Sequence, residues 1–239
     1  MHLFWEALSS RPYWRGALTA LALTAPALGT ALVIGFFVAL GSMSPQRPLR
    51  TVAWIYNWLF RATPTLLQLI FIWYVLPTWW SGFAQSWFTP FFAAWLALSL
   101  NEAAYASEII RASLMSVDPG QELAGRALGM SRRSIMKRVI IPQAVRIAIP
   151  PIGNEFITLL KLTSLATVIS VQELLTATLN LTSAKFSYPG PLLAAVVYYL
   201  FIVSILMVLQ SRLERRFTWT SRRRGRIAPA VPVVAHDAR

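Results

Sequence analysis

The side chains in this sequence that could do chemistry are few, and they sit in unusual company. Asn154, Thr158, Lys161 and Ser164 recur at i, i+4, i+7 and i+10 inside an otherwise apolar run, a spacing that places them on one broad face of a helix. Glu102 and Gln68 stand in two other apolar runs. Ionisable and amide groups are expensive in a nonpolar medium, so each position is a candidate either for lining a polar pathway or for bonding one helix to its neighbour. A carboxylate at Glu102 is suited to a substrate ammonium, and an ammonium at Lys161 to a substrate carboxylate. Asn101, Tyr105 and Glu108 also share a face, with Arg111 one turn beyond Glu108 for an intrahelical ion pair. Covalent catalysis, by contrast, has no residues to use. The chain has no cysteine, and its two histidines, His2 and His236, lie at opposite ends, which leaves no thiolate or imidazole metal centre and no Ser-His triad. A Gly-rich phosphate loop is also missing.

The elements that must position these residues are membrane spans. Of 239 residues 56% are apolar and only 13% charged, about half the charged fraction of an ordinary soluble domain. Gly16 to Gln46 is free of Asp, Glu, Lys and Arg for 31 residues, more than the roughly 20 that one span needs. Ala62 to Asn101 is free of charge for 40 residues and is punctuated by Pro77 and Pro90, so it reads as two spans joined by a turn. Trp73, Tyr74, Trp79, Trp80, Trp87 and Trp95 flank that turn as an aromatic belt. Two further apolar runs complete an all-α membrane protein of about five spans, expected over 17–41, 52–76, 87–110, 147–171 and 188–211. The first run is too long for the apolar core of a signal peptide and lacks a convincing cleavage site, so it is expected to be retained. Lys and Arg alternate between connections as the positive-inside rule requires. Residues 111–146 hold seven and those from Arg212 onward eight, whereas the connection from Pro77 to Pro90 holds none. The expected topology has the N-terminal segment 1–16 outside, with Arg11 and Arg15 as a mild violation of the rule, and the tail 212–239 in the cytoplasm. Seven arginines from Arg212 to Arg226 invite a nucleic-acid reading, but a juxtamembrane basic cluster serves anionic headgroups, and no nucleic-acid partner is expected.

The longest basic connection, 118–142, reads DPGQELAGRALGMSRRSIMKRVIIP. Asp118-Pro119 is a helix start, Gly129 a helix end, and Ser131 a second start. Two short helices joined at a glycine are too polar to cross a membrane and too well punctuated to be a tether. Two readings stand: a compact knob that transmits force from a soluble partner, or a basic loop that only enforces orientation.

From Asn101 to Leu174 the chain closely resembles the signature region of the permease subunits of ABC importers for polar amino acids, and FRATPTLLQL at 60–69 resembles a second block of that family. The family's cytoplasmic motif is Glu-Ala-Ala, three residues, Gly, nine residues, then Ile, any residue, Leu-Pro. It falls here on Leu123, Ala124, Gly125, Gly129, Val139, Ile141 and Pro142, so Leu123 stands where the acid belongs and Gly125 where an alanine belongs. Glu122 is one residue early and, at about 100° per residue, points to another face. After Lys161 the family carries Asp-Thr-Ser-Leu, whereas this chain has Leu162-Thr163-Ser164-Leu165; if that acid normally neutralises the lysine, Glu155, Glu173 or a carboxylate from the partner chain must do so, the alternative being that Lys161 faces a substrate carboxylate.

The resemblance implies a type I ABC importer permease fold, residues 17–211 forming the transmembrane domain. It implies an ATPase dimer that docks on Gly120, Gln121, Glu122, Ala124, Gly125, Ala127, Leu128, Gly129 and Ser131, and a pathway lined by Thr63, Gln68, Glu102, Asn154, Thr158, Lys161 and Ser164. Other implied partners are a second permease chain, identical or different, an extracytoplasmic amino-acid-binding protein and the bilayer of the inner membrane. The chain itself needs no cofactor; ATP and Mg belong to the ATPase. Opines or other amino-acid derivatives are the alternative cargo. A secondary transporter or a scaffold without an ATPase is the more remote alternative, and five spans do not divide into the two equal inverted repeats of the former.

Overall fold

The computed structural model describes residues 2–218, and over those residues regular structure is entirely helical. Helix α1 (His2–Ser9) is followed by α2 (Arg11–Ser42), a 32-residue helix that starts with Pro12 in its first turn. One stripe of α2 is buried, including Ala20, Ala27, Ala31, Gly35 and Ala39. These small residues face α6 (Pro90–Met115), whose Ala103, Ala104 and Ala106 are likewise buried. In lipid there is no hydrophobic effect to press helices together, so close backbone approach through small side chains is what holds them. At Gly35 an added Cβ would lie 2.9 Å from the carbonyl oxygen of Ala103 and 3.0 Å from the amide nitrogen of Ser107. The main core gathers Leu23, Leu69, Leu98, Leu159 and Ile169 from five successive parts of the chain.

The expected span at 52–76 is not one helix. Helix α3 (Arg47–Ala62) ends at Thr63-Pro64, and α4 (Thr65–Ile70), a π turn (Phe71–Val75) and α5 (Leu76–Trp79) continue at an angle of 103° to it. Pro64 cannot follow a helical residue comfortably, which fixes the break. Pro77 and Pro142 each follow a π turn, Phe71–Val75 and Met136–Ile140. Each ring would clash with the carbonyl four residues back, at Trp73 and Arg138, and the wider turn relieves it.

Helix α7 (Pro119–Ala127) and α8 (Arg132–Ile135) form the loop, and α8 runs through its π turn into α9 (Ile141–Leu162). The expected fourth span, 147–171, therefore begins earlier, and from Thr163 to Ile169 it tightens into a 3-10 helix. Helix α10 (Leu174–Lys185), where the charge pattern predicts only a connection, and α11 (Pro189–Thr218) follow. Three stretches, Arg11–Ser42, Arg132–Ile169 and Pro189–Phe217, are long and apolar enough to cross a membrane, and the bent pair adds a fourth if it counts as one span. With 26 residues, about 39 Å of helix, α6 is long enough too, although Asn101 and Glu102 interrupt its apolar run. By length and composition together the described residues offer three spans, or four with the bent pair, where the sequence predicts about five. Helix α1 and the first turn of α2 fold onto the start of α11: Tyr198 donates to the Leu8 carbonyl at 2.9 Å and Tyr13 to that of Pro191 at 3.1 Å. His236 and residues 219–239 of the basic tail lie outside the described residues.

Candidate functional site

The loop folds as its punctuation predicts. Asp118 caps α7, its carboxylate accepting from the Gly120 amide at 2.8 Å, and Ser131 caps α8 by accepting from the Ser134 amide. At the end of α7 the Met130 amide bonds the Gly125 carbonyl and the Gly129 amide that of Arg126, the paired bonds of a Schellman cap, and Gly129 takes a φ of +74°. An added Cβ at Gly129 would meet nothing, so the glycine is required here by the backbone conformation rather than by crowding within the chain. Gly125 is buried under Ile135, where a Cβ would come within 2.8 Å of that side chain; the expected alanine has no room. Glu122 pairs with Arg126 one turn along, which leaves Leu123 at 67% and Leu128 at 80% exposure. The position that should carry the acid is thus an open apolar contact on the outer face of α7, beside exposed Ala124 and Ala127.

The pathway candidates separate into three places. Thr63 and Gln68 meet at the break between α3 and α4. The Gln68 amide nitrogen donates to the carbonyls of Phe60 (3.0 Å) and Thr63 (3.1 Å) and to the Thr63 hydroxyl (2.7 Å), and its oxygen accepts from Asn101 at 3.0 Å. Asn101 also donates to the Phe60 carbonyl. The break leaves carbonyls at the end of α3 without intrahelical donors, and these two amides satisfy them. Gln68 thus has a structural occupation.

Glu102, the next residue on α6, is 1% exposed, and its Oε1 has no hydrogen-bond partner. Glu155 on α9 is near enough to act on it electrostatically. A buried carboxyl beside another acid is a costly arrangement, and no cation among the described residues relieves it. Glu155 makes no ion pair with Lys161 among the described residues, so it is not the neutraliser expected there.

Asn154, Thr158 and Lys161 share one face, as their spacing predicts, and line a cavity of about 420 Å³ against α11 with Gln210 and Glu214. The Gln210 amide donates to Asn154 at 2.7 Å. Lys161 is exposed and makes no ion pair among the described residues. Ser164 does not join them: it lies in the 3-10 stretch, where 120° per residue replaces 100°, and donates to the Lys161 carbonyl at 2.7 Å. Leu162 packs against the main core, so the expected acid has been exchanged for a packing residue. The predicted ion pair of Glu108 and Arg111 is present at 2.7 Å.

Glu173 does not serve Lys161 either. It is fully buried and caps α10, accepting from the Thr176 amide at 2.7 Å and from the Tyr199 hydroxyl at 3.3 Å. The acid before an apolar and Thr-rich stretch was the signal for α10 that sequence reasoning missed. Glu173→Ala is expected to lower stability by about 2 kcal/mol, with Glu173→Gln recovering most of it, as read by thermal unfolding of the purified protein in detergent; equal midpoints for all three proteins would remove the capping role.

Residues 31–219 match the family described as binding-protein-dependent transport system inner membrane component. An arginine transport system permease protein of Corynebacterium glutamicum is 40% identical over 230 residues, covering 90% of this chain and 72% of that one. An L-cystine transport system permease protein of Bacillus subtilis is 40% identical, covering 89% and 87%. Among solved structures, the crystal structure of an amino acid ABC transporter with histidines superposes with a TM-score of 0.79 at 36% identity, covering 86% of this chain and 94% of that one.

Proposed function

The chain belongs to the binding-protein-dependent transport system inner membrane component family, and on that premise we propose that it is the permease subunit of an ABC importer for polar amino acids. The related permeases named for arginine and L-cystine and the related amino acid ABC transporter support this cargo class. On this reading it forms a pathway across the cytoplasmic membrane together with a second permease chain, with its C-terminal side inside. An extracytoplasmic binding protein delivers the amino acid, and ATP hydrolysis takes place on a separate ATPase dimer that also holds the Mg.

The observation that carries the reading is the shape of the 118–142 loop. It is a capped helix pair that presents Leu128 at 80% exposure while its charged neighbour Glu122 is occupied by Arg126. A loop that only set orientation would need its arginines and nothing more. An exposed leucine on a rigid knob is an anchor for a pocket on a soluble partner. When the ATPase pair closes on ATP, α7 moves with it, and the stiff passage through α8 and the π turn into α9 carries that displacement to Asn154, Thr158 and Lys161. This chain's own part is to bind the amino acid weakly and to open in alternate directions; it makes and breaks no covalent bond.

The test is co-purification of the tagged chain with its ATPase from mild detergent, together with uptake of radiolabelled amino acids. Leu128→Asp is expected to reduce the retained ATPase by about thirtyfold, the loss of one buried apolar anchor, while leaving the permease folded. Retention of the ATPase at the wild-type level in Leu128→Asp would sink the coupling role of α7. No loss of amino-acid uptake on deleting the chain would sink the cargo.

A further inference from the structure

Toward the end of α6 that leads into the loop, α3 and α6, with Ser42 of α2, line a second cavity of about 640 Å³. Three guanidinium groups line it: Arg50 and Arg61 from α3 and Arg111 from α6. Only Arg111 has a carboxylate, Glu108, which it engages through two nitrogens at 2.7 and 3.2 Å. Arg61 lies over the ring of Tyr105, 5.7 Å from its centre, and neither Arg61 nor Arg50 makes an ion pair among the described residues. Two unpaired cations therefore share a cavity that already contains a satisfied ion pair. A site of this kind is completed by an anion with several acceptor oxygens, because each guanidinium offers a planar fork of donors suited to phosphate.

The surroundings say which phosphate. Trp54 and Trp58 stack at 6.2 Å along one edge of the cavity and are 62% and 58% exposed. On the neighbouring face of α3, Val52, Ile55 and Leu59 are exposed as well. A helix with paired tryptophans, basic residues and an outward apolar face has the composition of a membrane-interface element. The 103° bend at Thr63-Pro64 means that α3 and α4 cannot both follow the membrane normal. A soluble phosphate would gain nothing from the tryptophans or the aliphatic face, whereas a phospholipid uses both its headgroup and its chains. We propose that Arg50, Arg61 and Arg111 form a binding site for the phosphodiester headgroup of an anionic phospholipid, with its acyl chains laid along Trp54, Trp58 and the apolar face of α3. Because α3 crosses α6, meeting it at Leu100 through Tyr56 and at Ser107 through Asn57, the bound lipid braces the helix whose end starts the coupling loop. The site rests on the proposed orientation only for its leaflet, the cytoplasmic one.

The test is native mass spectrometry of the full chain in its detergent-extracted complex, offered phosphatidylglycerol or phosphatidylcholine. Wild type is expected to retain phosphatidylglycerol preferentially. Arg50→Gln/Arg61→Gln is expected to retain about thirtyfold less, each arginine contributing roughly fivefold near the surface. Arg11→Gln/Arg15→Gln, with the same loss of charge at the far end of α2, is expected to retain it fully. Arg50→Gln alone breaks no contact seen in the fold and still lowers retention, which covers a double variant that fails to fold. Equal retention by the Arg50/Arg61 variant, equal retention of phosphatidylcholine, or displacement of the lipid by millimolar inorganic phosphate alone would each overturn the proposal. The same spectra show whether the ATPase is present: wild type that keeps the ATPase without preferring phosphatidylglycerol overturns this site alone, and wild type that keeps the lipid but no ATPase overturns the coupling reading alone.

Discussion

Gly35→Leu is expected to prevent the helical bundle from assembling, whereas Gly29→Leu, six residues earlier on the same helix, is expected to leave it intact. A Cβ at Gly35 would already stand 2.9 Å from the Ala103 carbonyl oxygen and 3.0 Å from the Ala106 Cβ and the Ser107 nitrogen. Two of these are backbone atoms of α6 and cannot turn aside, so the helices must separate. Separation costs the contacts of the whole small-residue stripe, Ala27, Ala31 and Ala39 against Ala103, Ala104 and Ala106, in a medium where packing is the principal force between helices. The loss is expected to be about 3 kcal/mol or more. At Gly29 an added Cβ meets nothing within 4 Å, and leucine there faces outward at a cost within about 0.5 kcal/mol. Monodisperse elution after a temperature ramp separates the two variants. Equal melting temperatures for Gly29→Leu and Gly35→Leu would show that α2 does not pack on α6 through this stripe.

Gly129→Val is the second change with a large expected effect, and it acts on uptake rather than on the bundle. The φ of +74° lies in the left-handed region, where a β-branched residue is strained by about 2 kcal/mol. The strain is relieved by opening the Schellman cap, which frees the last turn of α7 and lets Leu128 lose its fixed place. Uptake and ATPase retention are expected to fall by at least about tenfold. Gly129→Asn discriminates between two explanations of the glycine. Asparagine tolerates the left-handed region, so it keeps most of the activity if backbone conformation is what the glycine supplies. If Gly129→Asn is as defective as Gly129→Val, the ATPase surface itself must need the missing side chain.

Much of the loop was legible in the sequence because caps are local. Asp118, Gly129 and Ser131 each act within three or four residues, and each does in the fold what its type announces. The ion pair of Glu108 with Arg111 was legible for the same reason. The pathway candidates were legible only in part. Asn154, Thr158 and Lys161 obey the helical spacing, but Ser164 leaves the stripe because the turn tightens at Thr163, a change of pitch with no sequence mark of its own. The replaced acids illustrate the same limit. Leu123 becomes an exposed contact and Leu162 a packing residue, and nothing in either neighbourhood of the sequence distinguishes the two.

What the sequence determined by itself is the class of protein. Charge-free runs longer than a bilayer leave a helical membrane component, because the hydrocarbon interior admits no backbone polar group that is unpaired. The capped loop followed from the same one-dimensional reading. The tertiary structure alone decided that the second apolar run bends by 103° and needs Gln68 and Asn101 to close its open carbonyls. It alone placed Glu173 at the cap of α10 and Arg50 and Arg61 around one cavity without a carboxylate of their own. The physical reason is distance along the chain: a cap or a span is settled by neighbours in sequence, whereas an unpaired charge or an unsatisfied carbonyl acquires its partner, or its need for one, only when segments far apart are brought together.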